Sequence, residues 1–101
     1  MVKYIGLIRL KPEQDPDKMW ELWQAKYSII GKEILLPELK QYSINRVIET
    51  IGESNIYGFS EMIFDDAESC KRAFKRRLGT PPEIPWNMER IIAESKNVPL
   101  P

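Results

Sequence analysis

The order of elements that the sequence predicts is βαββαβ, an α+β protein with a four-stranded antiparallel sheet and two helices on one face. Three observations predict it. Residues 2–10, 39–49 and 57–64 alternate in the period-2 manner of strands. Residues 15–34 hold the longest helical apolar pattern in the chain. A cap signal at 65–68, followed by Ala67, Cys70, Phe74 and Leu78 at helical spacing, starts a second helix.

In the first strand, Tyr4, Gly6, Ile8 and Leu10 point one way and Lys3, Ile5, Leu7 and Arg9 the other. Lys11 to Gln14 form a loop around Pro12. The long helix then opens on Asp15 as N-cap, Pro16 at the first helical position and Asp17 beside the positive helix end. At ~100° per residue, Met19, Trp20, Leu22, Trp23, Tyr27, Ile30 and Ile34 form one apolar arc. Lys26 lies inside that arc, whereas Asp17, Glu21, Gln24 and Ser28 lie opposite.

Leu35 to Glu38, with Pro37, connects to the second strand. That strand sets Tyr42, Ile44, Arg46 and Ile48 against Ser43, Asn45 and Val47. Gly52-Glu53-Ser54-Asn55 supplies turn residues. In the third strand Tyr57, Phe59, Glu61 and Ile63 lie opposite Gly58, Ser60, Met62 and Phe64. A turn centred near Ser54 pairs Ile44 with Ile63, Arg46 with Glu61 and Ile48 with Phe59. Asp65-Asp66-Ala67-Glu68 reads as a capping box, and Gly79 stands where a C-terminal cap belongs. Thr80 to Pro85 is a proline-rich linker, Trp86 with Met88 one irregular turn, Arg90 to Glu94 the last strand, and residues 95–101 an irregular tail.

The 101 residues make one domain, 1–101, that buries roughly two-thirds of its unfolded surface. Fifteen basic residues balance fifteen acidic ones, so no net field favours nucleic acid or a membrane surface. No apolar run is long enough to span a bilayer, and the first ten residues lack the pattern of a signal peptide. The single cysteine, Cys70, excludes an internal disulfide, agrees with a cytoplasmic location, and reads as an inert core thiol. Histidine is absent. Ser-His-Asp and Cys-His chemistry are therefore excluded within the chain, and the usual zinc and haem sites lose their commonest ligand. We expect no metal and no cofactor. Proton transfer near neutral pH falls to a shifted Lys, Tyr, Asp or Glu, or to the substrate's own acidity.

The first three strands are apolar on both faces, yet two helices cover only one. The face bearing Tyr4, Ile8, Tyr42, Ile44, Ile48, Tyr57, Phe59 and Ile63 needs another cover, and a second copy stacking sheet on sheet is the simplest.

The opening strand with KPEQDPDKM, the helix segment Trp23-Gln-Ala-Lys-Tyr27, LPELKQYSINRVI and GFSEMIFDDAES resemble the EthD-like family of the dimeric α+β barrel superfamily. The similarity covers roughly residues 2–78. It implies a ferredoxin-like protomer that forms a homodimer through the helix-free sheet face, with a small-molecule pocket between sheet and helices. Members are associated with oxygenase-linked degradation, or with decarboxylation, cyclisation and isomerisation of small organic molecules. The chain departs from that pattern at Tyr27, Ser28 and Ile29, where family sequences often carry His, a small residue and Pro. A mechanism resting on that imidazole does not transfer.

On this reading the helix-facing side of the sheet carries Ile5, Leu7, Arg9, Ser43, Asn45, Val47, Ser60, Met62 and Phe64. Small residues there, Gly58, Ser43 and Ser60, leave room beneath the helix tryptophans. Trp23, Met62 and Phe64 are the expected walls of a ligand site, with Arg9 and Ser60 on its floor and Asn45, Lys26 and Tyr27 fixing orientation. Tyr27 and Lys26 are the candidate catalytic groups. The plain alternatives are a filled core, a Lys26 that reaches to the helix edge near Glu33, and an Arg46–Glu61 pair that sets register.

The cations Lys71, Arg72, Lys75, Arg76 and Arg77 read as a solvated face near a helix C-terminus. Tyr57 to Phe64 superficially resembles the third-strand signature of the RNA-recognition motif. Glu61 replaces a stacking aromatic there and Tyr57 the basic residue, so nucleic acid is not the expected partner. Two functions stay open, a cofactor-independent enzyme acting on a small apolar or aromatic molecule and a ligand-binding or accessory module without chemistry, with an RNA-recognition-type binding domain as a remote alternative.

Overall fold

The structure is a computed structural model, and it describes residues 1–77 and 84–101. The expected end of the second helix at Leu78 and Gly79, and most of the linker 80–85, lie outside the described residues. The described elements are β1 Val2–Arg9, α1 Pro16–Leu22, a π-helical turn Trp23–Tyr27, α2 Ser28–Leu35, β2 Gln41–Arg46, β3 Gly58–Phe64, α3 Ala67–Arg77 and β4 Asn87–Glu94. The strands pair antiparallel in the order β2-β3-β1-β4, so β1 and β3 are central. This is the α+β, ferredoxin-like arrangement that the element order predicts.

The long helix starts as its sequence implies. The Asp15 carboxylate accepts from the amides of Asp17 (2.9 Å) and Lys18 (3.1 Å), and Pro16 occupies the first helical position, where no amide is needed. Its middle is different. From Trp23 to Tyr27 the backbone winds as a π-helix, and the amide of Ser28 donates to the carbonyl of Trp23, five residues back. One extra residue in the turn moves the buried line along by one. Gly31 and Leu35 are therefore buried, and the expected Ile30 and Ile34 only half-buried. Lys26, placed within the apolar arc by a regular helix, is exposed instead, with its Nζ 5.3 Å from the centre of the Tyr27 ring.

The helix-facing rows also differ from the expected ones. Val2, Tyr4, Gly6 and Ile8 of β1, and Gly58, Ser60, Met62 and Phe64 of β3, are buried beneath the helices. Only the β3 row agrees with the expectation. In β1 and β2 the faces are exchanged, so Ile5, Leu7, Arg9, Ser43 and Asn45 lie on the helix-free side. Register is the reason. Ile44 pairs with Ser60, Ser43 with Glu61 and Asn45 with Phe59, where the short turn predicted Ile44 opposite Ile63. That is a slip of three residues, and any odd slip moves every side chain of a strand to the other face. β2 ends at Arg46 and the connection to Gly58 is longer than a tight hairpin, which leaves Ile48 and Ile51 exposed.

Three smaller corrections follow. Arg46 pairs with Asp17 (3.1 Å) and lies 5.4 Å over the Trp20 ring, while Glu61 pairs with Lys3 (3.6 Å). The cap of α3 is Asp66, which accepts from the amide of Ser69 at 2.7 Å; that amide is the leading reason its carboxyl is held below the usual range. Met88 lies inside β4 opposite Ile8, because that strand begins at Asn87.

Two clusters fill the space between helices and sheet. One gathers Tyr4, Leu35, Met62, Phe64, Cys70 and Ala73 under α2 and α3. Burial pushes the Cys70 thiol up, which suits an inert core residue. The other gathers Ile8, Trp23 and Trp86, with Trp20, Tyr27 and Tyr57 against them.

Arg76 ties α3 to the end of α2. Its guanidinium donates to the carbonyls of Ile34 (3.3 Å) and Leu36 (2.7 Å) and to both Glu38 oxygens (2.8 and 2.9 Å), and Arg72 adds a bond at 3.1 Å. These contacts, Arg76 foremost, lower the Glu38 carboxyl from 4.5 to about 2. A carboxyl whose folded value is depressed stabilises fully above its unfolded value, and that stabilisation is lost as pH falls through the folded one. Thermal melts should therefore show Glu38→Gln below the wild type by a few degrees at neutral pH. The gap should narrow from about pH 4.5 towards pH 2; a constant gap across that range counts against the assignment.

Candidate functional site

Two glycines and a serine shape the site. Gly6 of β1 lies opposite Ser60 of β3 and Arg90 of β4, forming one row across the sheet. A methyl on Gly6 would lie 2.8 Å from Ser60 Oγ and 3.1 Å from Met88 Sδ. On the helix above, Gly31 is the buried residue produced by the π turn, and a methyl there would come within 3.3 Å of the Tyr42 hydroxyl. Small residues in floor and roof leave a cavity of about 50 Å³ at the seam between the two core clusters. That is room for roughly three or four waters, or for one end of a larger ligand.

Aromatic rings hold the walls. Trp23 reaches the sheet backbone at Gly58, where a methyl would lie 2.8 Å from its ring and collide with the Asn45 carbonyl. Trp20 packs edge-on against Trp23 at 5.5 Å. Trp86 closes on Trp23 at 5.7 Å and meets Tyr27 edge-on at 5.2 Å. Tyr4, Tyr42 and Tyr27 contribute phenols to the lining, Ser60 a hydroxyl and Arg90 a guanidinium. Tyr57 stands behind Trp23 and donates to the Pro16 carbonyl at 2.6 Å, fixing the start of the helix over the strands; burial raises its phenol.

Among the described residues the lining is rich in hydrogen-bond donors and contains no carboxylate. Among the described residues, no group of three His, Cys, Asp or Glu is placed to hold a metal ion, and no helix is long and apolar enough to cross a membrane. Chemistry here would rest on orientation, desolvation and hydrogen bonding. The indole Nε1 of Trp86 is buried and has no hydrogen-bond partner among the described residues.

Of the residues singled out in the sequence, the structure brings Trp23, Tyr27, Ser60 and Met62 to the cavity. Phe64 is fully buried in the adjoining cluster. Lys26 is exposed on the helix surface. Arg9 and Asn45 lie on the helix-free face: Arg9 pairs with Glu89 and donates to Asn55 (3.0 Å), and Asn45 donates to Ser43 (3.2 Å) and the Phe59 carbonyl (3.1 Å). Sequence reasoning missed Tyr4, Tyr42, Trp86 and Arg90. The first two followed the exchanged faces. Gly6 was the available signal, since a glycine within the run Tyr4, Gly6, Ile8 marks close approach by something above it.

No protein-family profile matches the chain, and no curated protein matches it. Solved structures do. An EthD family protein from Bacillus halodurans is 24% identical with a TM-score of 0.66, over 95% of this chain and 99% of that one. An EthD-like protein from Ralstonia eutropha is 13% identical with a TM-score of 0.67, over 92% and 90%. SnoaB from Streptomyces nogalater, described as a cofactor-independent oxygenase, is 11% identical with a TM-score of 0.63, over 96% and 94%. Identities this low speak to architecture alone, and the coverage extends it to both whole chains. The chain thus has a ferredoxin-like α+β fold, which it shares with EthD-type proteins and with an oxygenase.

Proposed function

We propose that this chain is a small-molecule enzyme of the EthD-like kind, working without a cofactor on a small apolar or aromatic organic compound. The observation that carries the reading is the cavity between Gly31 and the Gly6–Ser60 floor, walled by Trp23, Tyr27 and Trp86. One end of the compound lies under the helix, where apolar walls exclude water and phenols orient it. Tyr27 is the candidate catalytic group, because it lines the cavity at the π turn. Oxygenase-linked degradation, isomerisation or decarboxylation all fit a site of this composition. The likeness to a cofactor-independent oxygenase supports the first of these.

A second reading, a ligand-binding or accessory module, is favoured by one specific feature. Among the described residues no carboxylate lines the cavity, and the chain has no histidine, so none of these residues is an ordinary general base.

The homodimer belongs to this proposal. The helix-free face carries Ile5, Leu7, Phe59, Ile63 and Ile91 between the Lys3–Glu61 and Arg9–Glu89 pairs. Ile91 is 48% exposed. Phe59 and Ile63 were expected on this face; Tyr4, Ile8, Tyr42, Ile44 and Tyr57 were too, and lie under the helices instead. An apolar centre with a charged rim suits a second copy stacked sheet on sheet.

Three outcomes test these assignments. Ser60→Leu should fill the cavity, so that small aromatic compounds which quench tryptophan fluorescence of the wild type no longer do so; unchanged quenching removes the cavity as the site. With a turned-over substrate in hand, Tyr27→Phe should lower kcat by about a hundredfold or more while binding persists. Lost binding with no activity to lose would favour the module. Phe59→Glu should convert a dimer to a monomer in analytical ultracentrifugation, and a wild type that sediments as a monomer at high concentration refutes the pairing.

A further inference from the structure

Trp86 is 5% exposed, yet its indole N–H has no acceptor among the described residues. A buried donor left unpaired is costly, and native structures rarely keep one without a ligand or water to receive it. The residue lines the cavity, and an acceptor bound there could receive its N–H. The rest of the lining points the same way. Arg90 lines the same cavity, and among the described residues no carboxylate pairs with it. Among the described residues no Asp or Glu lines the space. The other polar groups of the described lining are the Trp23 indole N–H, a donor, and hydroxyls, which donate as readily as they accept. At about 50 Å³ the cavity has the size of a head group, not of a whole substrate.

We propose that the cavity is a carboxylate subsite. It takes the carboxylate of a small organic acid, which accepts the Trp86 indole N–H and neutralises Arg90. The inference rests on the reading of this cavity as the ligand site, and adds the chemistry of the ligand's polar end. A carboxylate matches both groups, because it is acceptor-only and its two oxygens suit a guanidinium fork. A neutral amide of the same shape brings donors of its own and no charge.

Sodium butyrate and butyramide separate these cases when each is titrated into the full chain labelled with nitrogen-15. The three tryptophans give three indole resonances, and Trp86→Phe identifies one by its disappearance. Butyrate should shift the Trp86 indole proton downfield and saturate, and butyramide should bind at least about tenfold more weakly. Arg90→Met alters an exposed residue and should raise the butyrate Kd about tenfold, with Arg90→Lys recovering part of the loss. Equal affinity for the two compounds, or a butyrate Kd unchanged in Arg90→Met, overturns the proposal. So does a Trp86 indole that moves with neither compound. If neutral aromatic compounds still quench the wild type but not Ser60→Leu, the cavity survives that result and only its carboxylate preference fails.

Discussion

Trp23 reaches the sheet because Gly58 has no side chain. A single methyl at that position would meet both the indole ring and the Asn45 carbonyl, so the long helix would have to lift. The contact sets the height of the helix over β3. Trp20, Tyr57 and Trp86 then pack around the same indole, and Tyr57 anchors the helix start through Pro16. Aromatic rings at these separations add modest energies individually, and their main effect is geometric. They hold the N-terminal half of the helix close to the sheet. At Gly31 the roof has no side chain of its own, and there the cavity remains.

The π turn and the β2–β3 register act on the same space from opposite sides. One extra residue between Trp23 and Tyr27 turns Gly31, rather than Ile30, towards the sheet. Three residues of slip between β2 and β3 turn Tyr42 and Ile44 towards the helix, rather than Ser43 and Asn45. The roof becomes smaller and the floor more aromatic. A site expected to be orientated by an amide and an ammonium is instead edged by phenols, an indole N–H and a guanidinium. Among the described lining residues, donors outnumber dedicated acceptors.

The helix-free face obeys the same parity. Arg9, Ser43 and Asn45 are withdrawn from the cavity and join Phe59, Glu61 and Ile63 on the outer surface. There the Lys3–Glu61 and Arg9–Glu89 pairs border an apolar centre. Cavity and apolar outer face thus depend on one choice of register, and a change of parity would exchange their residues.

Local chemistry was legible from residues alone. Asp15 and Pro16 start a helix because a carboxylate and a missing amide satisfy the end of any helix, whatever it packs against. Alternation in Val2 to Arg9 and in Gly58 to Phe64 predicts strands because successive side chains must oppose. Trp23, Tyr27, Ser60 and Met62 were expected near a gap because large aromatics lie above small strand residues, and all four line the cavity. Which face of β1 and β2 met the helices was decided only in three dimensions. Both faces are apolar, so the energy difference between registers comes from Trp23 seated on Gly58 and from the Gly6–Ser60 row, contacts between segments far apart in the chain. The π turn belongs to the same class: nothing in Trp23 to Tyr27 demands five residues per turn, and its effect appears only in what the helix buries.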